Sequence, residues 1–148
     1  MHNEVMESGG SGEELVVAFE QLVRYVRQVS TAGGLSTAAS SALGRLGREG
    51  PQRLTELARA EGVSQPAMTQ LVTRMERDGL VRRVASTDDR RCVLVESTDS
   101  GADLVRRRRS ERAEALERLM ERLDPKERTA VVIALPALAR LVQAEASD

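Results

Sequence analysis

Through most of the chain apolar residues recur every three or four positions, the spacing of one helix face. Between Glu13 and about Thr31 these are Leu15, Val16, Phe19, Leu22, Val23, Val26 and Val29. The stripe is wide and β-branched, so the helix must pack on the core or on a second subunit. Gly33-Gly34 ends it. A second helix is expected from Ser36, as cap, to about Arg48, with Leu43 and Leu46 as anchors among small Ala and Ser residues. Gly50-Pro51 breaks the chain. Arg53-Leu54 suits a short strand, Thr55 is placed to cap a helix from Glu56 to Ala60, and Gly62-Val63 turns into Ser64.

Residues 64 to 79 then read as one helix with marked ends. Ser64 caps its first turn, Pro66 is tolerated there because its missing N–H would be unbonded anyway, and Gly79 closes it. Met68, Leu71, Val72 and Met75 share one face. At about 100° per residue the opposite face carries Pro66, Gln70, Thr73 and Arg77, flanked by Thr69 and Arg74. That face holds hydrogen-bonding groups and cations with no acid at its centre, which suits reading base edges and gripping phosphates. An ordinary amphipathic surface helix has the same pattern. The neighbouring elements favour the DNA reading, because residues 55 to 79 run helix, Gly-containing turn, helix, with the second helix as the reader.

Two β-rich runs follow, Leu80 to Val84 and Cys92 to Glu96, around a polar loop, and predict a hairpin. Arg82, Arg83, Arg90 and Arg91 against Asp88 and Asp89 give it a local charge of about +2. A basic hairpin tip beside a reading helix fits a narrow minor groove, whose negative potential attracts arginine. A solvated turn with Asp–Arg pairs worth under about 1 kcal/mol each is the competing reading.

Thr98 is placed to cap a helix running to about Leu123, with Asp99 in its first turn. It contains Arg106-Arg107-Arg108-Arg109, which reads either as solvated charge offset by Glu111, Glu114 and Glu117 or as a phosphate or subunit contact. Asp124-Pro125-Lys126-Glu127 starts a last helix to about Ala146, with a stripe of Val131, Val132, Leu135, Leu138, Leu141 and Val142. Pro136 should kink or locally break it. The first and the last two helices have apolar faces wider than a small winged domain covers, so a homodimer is expected.

Composition narrows the field. The 148 residues carry a net charge of -1, so any nucleic-acid contact must come from a local patch. Phe19 and Tyr25 are the only aromatics, too few for a base-stacking platform on single strands. One cysteine, Cys92, excludes an internal disulfide and fits a reducing cytoplasm; one histidine, His2, leaves no zinc site. No metal or other cofactor is expected. Residues 1 to 12, with Ser8-Gly9-Gly10-Ser11-Gly12, read as a flexible arm without a signal-peptide pattern, and no apolar run is long enough to span a bilayer. There is no nucleophile elbow, phosphate loop or metal cluster, so the chain does not read as an enzyme.

Leu54-Thr55-Glu56-Leu57-Ala58, Val63 to Thr69, Leu71 to Val81, Asp89-Arg90-Arg91 and Val93-Leu94-Val95 together resemble the winged helix-turn-helix of the MarR family, the multiple-antibiotic-resistance regulators. The strongest motifs lie within about residues 53 to 101, and the flanking helices are similar in order and length. The resemblance implies a mainly α fold with a small β-wing. The domain would span 13–148, with a winged helix-turn-helix at about 36–97 and dimerisation helices at about 13–32 and 98–146. It also implies a dimeric regulator of double-stranded DNA, acting on a pseudo-palindromic operator and responding to a small anionic or phenolic effector. Ser64, Gln65, Pro66, Thr69 and Gln70 match the part of the recognition helix that enters the major groove. Asp89 and Arg91 match the wing pair in which the acid positions the minor-groove arginine, and Arg77 matches a phosphate contact.

Two departures bear on specificity. Ser86-Thr87 replaces the Asp-Pro common at the start of the wing loop. Gln70 stands where Arg is common, and Gln pairs with adenine where Arg prefers guanine. Cys92 lies in the wing, not near the N-terminus where oxidant-sensing members carry their thiol, and reads as packed and inert. An effector pocket between the helical region and the winged domain is implied, with Phe19 and Tyr25 as the aromatics that would line it unless they belong to the core. The competing functions are an architectural DNA binder without an operator and a winged-helix module that binds a protein.

Overall fold

The computed structural model describes residues 10–31, 35–89 and 91–145. The elements run α1 (Gly12–Thr31), α2 (Thr37–Glu49), β1 (Gln52–Arg53), α3 (Leu54–Glu61), α4 (Gln65–Arg77), β2 (Val81–Ala85), β3 (Val93–Ser97), α5 (Asp99–Met120) and α6 (Pro125–Glu145). The fold is mainly α with a small antiparallel sheet in the order β1-β3-β2, the arrangement of a winged helix-turn-helix. The chain divides into two compact units, Met1–Glu111 and Arg112–Asp148.

In the first unit Ser11 caps α1 reciprocally with Glu14, so the helix begins within the stretch expected to be a free arm. His2 and the rest of that arm, like the Gly33-Gly34 helix end, lie outside the described residues. Ser36 caps α2 as expected, its side chain accepting from the N–H of Ala39. The Thr55 cap is corrected. Arg53 holds the cap position without a side-chain bond, and α3 already begins at Leu54. The reason is packing: Leu54 is drawn against the core while β1 is held by β3 through Gln52↔Val95 and Arg53↔Leu94. Gly62, at φ 66, turns the chain out of α3, and its N–H reaches the Ala58 and Arg59 carbonyls.

The apolar stripes of α2, α3 and α4 meet the buried strand positions in one core. Leu43, Leu57, Met68, Val72, Val81 and Val95 are its largest fully buried side chains. All four residues of the expected α4 stripe, Met68, Leu71, Val72 and Met75, lie in it. Arg45 on α2 ties to Glu61 on α3 and to Glu49, each at 2.9 Å, and the hydrogen bond to Glu61 pushes its pKa further up.

Gly79, at φ 75, closes α4 in a two-bond motif: its N–H donates to Glu76 O at 3.0 Å and that of Leu80 to Met75 O at 2.9 Å. Beyond the hairpin, Thr98 caps α5 by accepting from the N–H of Gly101, and its hydroxyl donates to the Gly79 carbonyl. The end of α4 and the start of α5 are thereby joined through one side chain.

In the second unit α5 stops at Met120, three residues before the expected end. The N–H groups of Arg122 and Leu123 instead tighten onto the Leu119 and Met120 carbonyls. Asp124 must leave the helical region because Pro125 follows it. Asp124 and Glu127 then cap α6 reciprocally at 2.9 and 3.0 Å, the box read from the sequence. Of the kink or local break expected at Pro136, the break does not occur: α6 continues through the proline. The proline leaves the Val132 carbonyl without its helical donor, and Val132 is 59% exposed, where water can take that place. No helix among the described residues is long and apolar enough to cross a membrane.

Candidate nucleic-acid interface

The polar face of α4 is built by its buried one. Once Met68, Leu71, Val72 and Met75 lock into the core, Gln65, Pro66, Thr69, Gln70, Thr73, Arg74 and Arg77 are exposed together. Ser64 anchors the first turn, accepting from the N–H of Ala67 at 3.3 Å, and Pro66 sits in that turn. The two threonines are partly committed. Thr69 donates its hydroxyl to Gln65 O at 2.9 Å, and Thr73 donates to Thr69 O at 2.8 Å. Thr69 Oγ1 keeps acceptor capacity, whereas Thr73 Oγ1 also accepts from Arg83. The side chains of Gln65, Gln70, Arg74 and Arg77 make no hydrogen bond or ion pair among the described residues. Four uncommitted polar groups on one exposed face are free to meet a ligand rich in donors, acceptors and negative charge.

The wing stands beside this face. β2 and β3 pair from Val81↔Ser97 to Ala85↔Val93. At the tip, Ser86 N–H donates to Cys92 O and Cys92 N–H to Asp89 O, both at 2.9 Å. Asp89 Oδ1 accepts from the backbone N–H of Arg91 at 3.0 Å. The acid therefore holds the main chain at Arg91; among the described residues it forms no ion pair with the guanidinium, which extends from an exposed position. Arg90 lies outside the described residues. Cys92 is half-buried, and its thiol points at the other oxygen of Asp89 at 3.6 Å.

One residue of the interface was not singled out from the sequence. Arg83 on β2 reaches back to α4, where its guanidinium meets Glu76 Oε1 at 2.5 Å and Thr73 Oγ1 at 3.3 Å. Its backbone N–H adds a bond to Glu76 Oε2 at 3.3 Å. The signal was present: Thr69, Thr73 and Glu76 fall on one flank of the helix at about 100° per residue, opening onto a basic strand.

Phe19 and Tyr25 are not brought together. Phe19 is 61% exposed and lines a hollow of about 370 Å³ on α1 with Glu20, Val23, Arg24 and Arg27; Tyr25 is half-buried and not part of that lining. Of the arginine run on α5, Arg106 pairs with Asp103 and Arg108 with Glu111.

The model of the MarR family matches residues 35–93. Over 115 residues the chain is 34% identical to a helix-turn-helix-type transcriptional regulator of Mycobacterium bovis, covering 78% of this chain and 80% of that protein. The chain belongs to the MarR family. A Mycobacterium leprae regulator of the same type is 37% identical over 108 residues, covering 72% of this MarR-family chain and 76% of its relative. The crystal structure of a Mycobacterium tuberculosis protein superposes with a TM-score of 0.77 at 26% identity, over 90% of this chain and 95% of that one. Staphylococcus aureus MepR, solved as a mutant bound to an oligodeoxyribonucleotide, shares the fold with a TM-score of 0.68 at 18% identity, over 90% and 99%. This MarR-family protein is thus a helix-turn-helix, DNA-binding transcriptional regulator.

Proposed function

We propose that the chain is a homodimeric repressor that binds a pseudo-palindromic operator in double-stranded DNA and is released from it by a small anionic or phenolic effector. Ser64, Gln65, Pro66, Thr69, Gln70 and Thr73 enter the major groove, with Gln70 as the base reader. Arg74 and Arg77 hold phosphates. Asp89 sets the main chain from which Arg91, beside Arg90, enters the minor groove. The winged helix-turn-helix spans about 36–97, and helices at about 13–32 and 98–146 form the dimer. The protein works in the cytoplasm, without enzymatic activity or cofactor. The observation that carries this reading is the uncommitted row of Gln65, Gln70, Arg74 and Arg77 on α4, next to a wing tip bearing Arg91. A mutant of MepR, which shares the fold, has been solved bound to an oligodeoxyribonucleotide.

The dimer rests on apolar surface. Leu15, Val16 and Phe19 on α1 and Leu138, Leu141 and Val142 on α6 are all more than half exposed in the single chain. Contiguous apolar faces of this kind mark interaction surfaces. The effector reading rests on the hollow on α1, where Phe19 and Val23 lie beside Arg24 and Arg27, a setting for an aromatic body carrying an anion.

Selection of bound sequences from a random duplex pool tests the proposal. The expected result is a pseudo-palindrome whose half-sites lie about 10 base pairs apart, with binding that falls steeply as salt rises. Recovery of an unselected pool would overturn the operator and leave an architectural binder.

A further inference from the structure

We propose that Glu76 and Arg83 form a strut between the reading helix and the wing, setting their spacing so that Gln70 and Arg91 engage adjacent grooves together. The inference rests on the DNA-binding reading of α4 and the wing given above.

The geometry is that of a two-point brace. Glu76 offers one carboxylate oxygen to the Arg83 guanidinium at 2.5 Å and the other to the Arg83 backbone N–H at 3.3 Å. The same guanidinium continues along the helix to Thr73 Oγ1 at 3.3 Å. Thr73 is itself oriented, because its hydroxyl proton is committed to Thr69 O. One arginine thus spans Thr73 and Glu76 on α4, and one acid holds both the side chain and the main chain of β2. β2 is an edge strand in the order β1-β3-β2, so the Arg83 N–H has no strand partner and Glu76 satisfies it.

Charge argues for a positional role. The Arg83 and Glu76 side chains remain 33% and 39% exposed, and an ion pair so wet adds little to stability. An acid beside a DNA-reading face is also unfavourable for phosphate, since it opposes the attraction on which binding depends. Its presence there is accounted for by what it holds. Groups that fix the orientation of contacting residues commonly matter through geometry, without touching the ligand.

The sign of one substitution decides. If Glu76 were only a surface acid, Glu76→Ala would tighten binding to every duplex. The strut requires the opposite at the operator: affinity falls about tenfold, the order of one lost base contact, while generic duplex is bound as well as before or better and the salt slope is unchanged. Glu76→Gln retains acceptor oxygen for Arg83 and should restore most of the operator affinity. It also serves as the readout should the alanine variant fold poorly, with thermal melts as the check on folding. Arg83→Ala should match Glu76→Ala at the operator, and the double variant should lose no more than either single one. Equal or tighter operator binding by Glu76→Ala, in a protein whose wild type prefers its selected site, overturns the strut alone. A wild type without any preference overturns the operator reading and the strut with it.

Discussion

At the scale of single residues, the interface separates groups by what they have left to offer. Gln70 is exposed, uncommitted, and carries both a donor and an acceptor at its tip, so it can match adenine N7 and N6 together. Arg77 lies two turns further along the same face, where reach to a phosphate is expected. Gln70→Ala should therefore cost about 1–3 kcal/mol at the operator and relax preference at one base pair per half-site, sparing non-specific binding. Arg77→Ala should weaken both kinds of binding and lower the salt slope by about one. Titrations of operator and generic duplex at several salt concentrations check the pair; identical uniform losses would mean that α4 grips only backbone. On the wing, Arg91→Ala should weaken binding most where the flanks are A·T-rich and the minor groove is narrow. Asp89→Ala should act in the same direction but less, because Asp89 holds the Arg91 main chain and not its guanidinium. Unchanged affinity of Arg91→Ala at physiological salt would reduce the wing tip to a turn.

At the scale of elements, the joint between α4, β2 and α5 is set by glycine. Gly101 lies so close to the hairpin that a Cβ there would come within 2.1 Å of the Leu80 carbonyl oxygen and 2.7 Å of Ser97 Oγ. The first obstacle is main chain and cannot rotate away. Gly101→Ala should cost about 1–3 kcal/mol despite the higher helix propensity of alanine, read as a lower urea midpoint. An increase in stability would show that α5 shifts freely. Met75→Ala opens a cavity on the buried side of α4 and should cost about 2–5 kcal/mol without changing base preference in the folded fraction. Loops, caps and close approaches of this sort hold the reading face at its angle; the stripe residues only hold it down.

At the scale of the whole molecule, exposed apolar surface is the dominant feature. Phe19 on α1 and Leu141 and Val142 on α6 stay more than 60% exposed, and α6 buries no residue completely. A helix with such a face needs a partner surface. Light scattering should give about twice the 16.2 kDa chain mass at micromolar concentration. A monomer would remove the two-fold axis on which a pseudo-palindromic operator depends. The net charge of -1 makes a second requirement, since attraction to DNA must come from a local basic patch.

Periodicity along the chain by itself determined most of the architecture. Met68, Leu71, Val72 and Met75 could only form a buried helix face, and capping chemistry marked Ser36, Ser64, Thr98 and Asp124 as helix starts, because these signals act within one or two turns. The helix, turn, helix, hairpin order was legible for the same reason. Tertiary structure decided what depends on contacts distant in sequence. Pairing with β3 and burial of Leu54 moved the start of α3 away from the Thr55 cap. Packing left Val132 exposed, where water can reach the carbonyl that Pro136 leaves without a donor, and α6 runs on through the proline. One local choice also stayed open in the sequence: Asp89 accepts from the Arg91 backbone N–H, the two-residue spacing of an Asx turn, and not from its guanidinium. Arg83 joined Glu76 and Thr73 only because the strand after Gly79 folds back along α4, and a composition count could register its charge but not its reach.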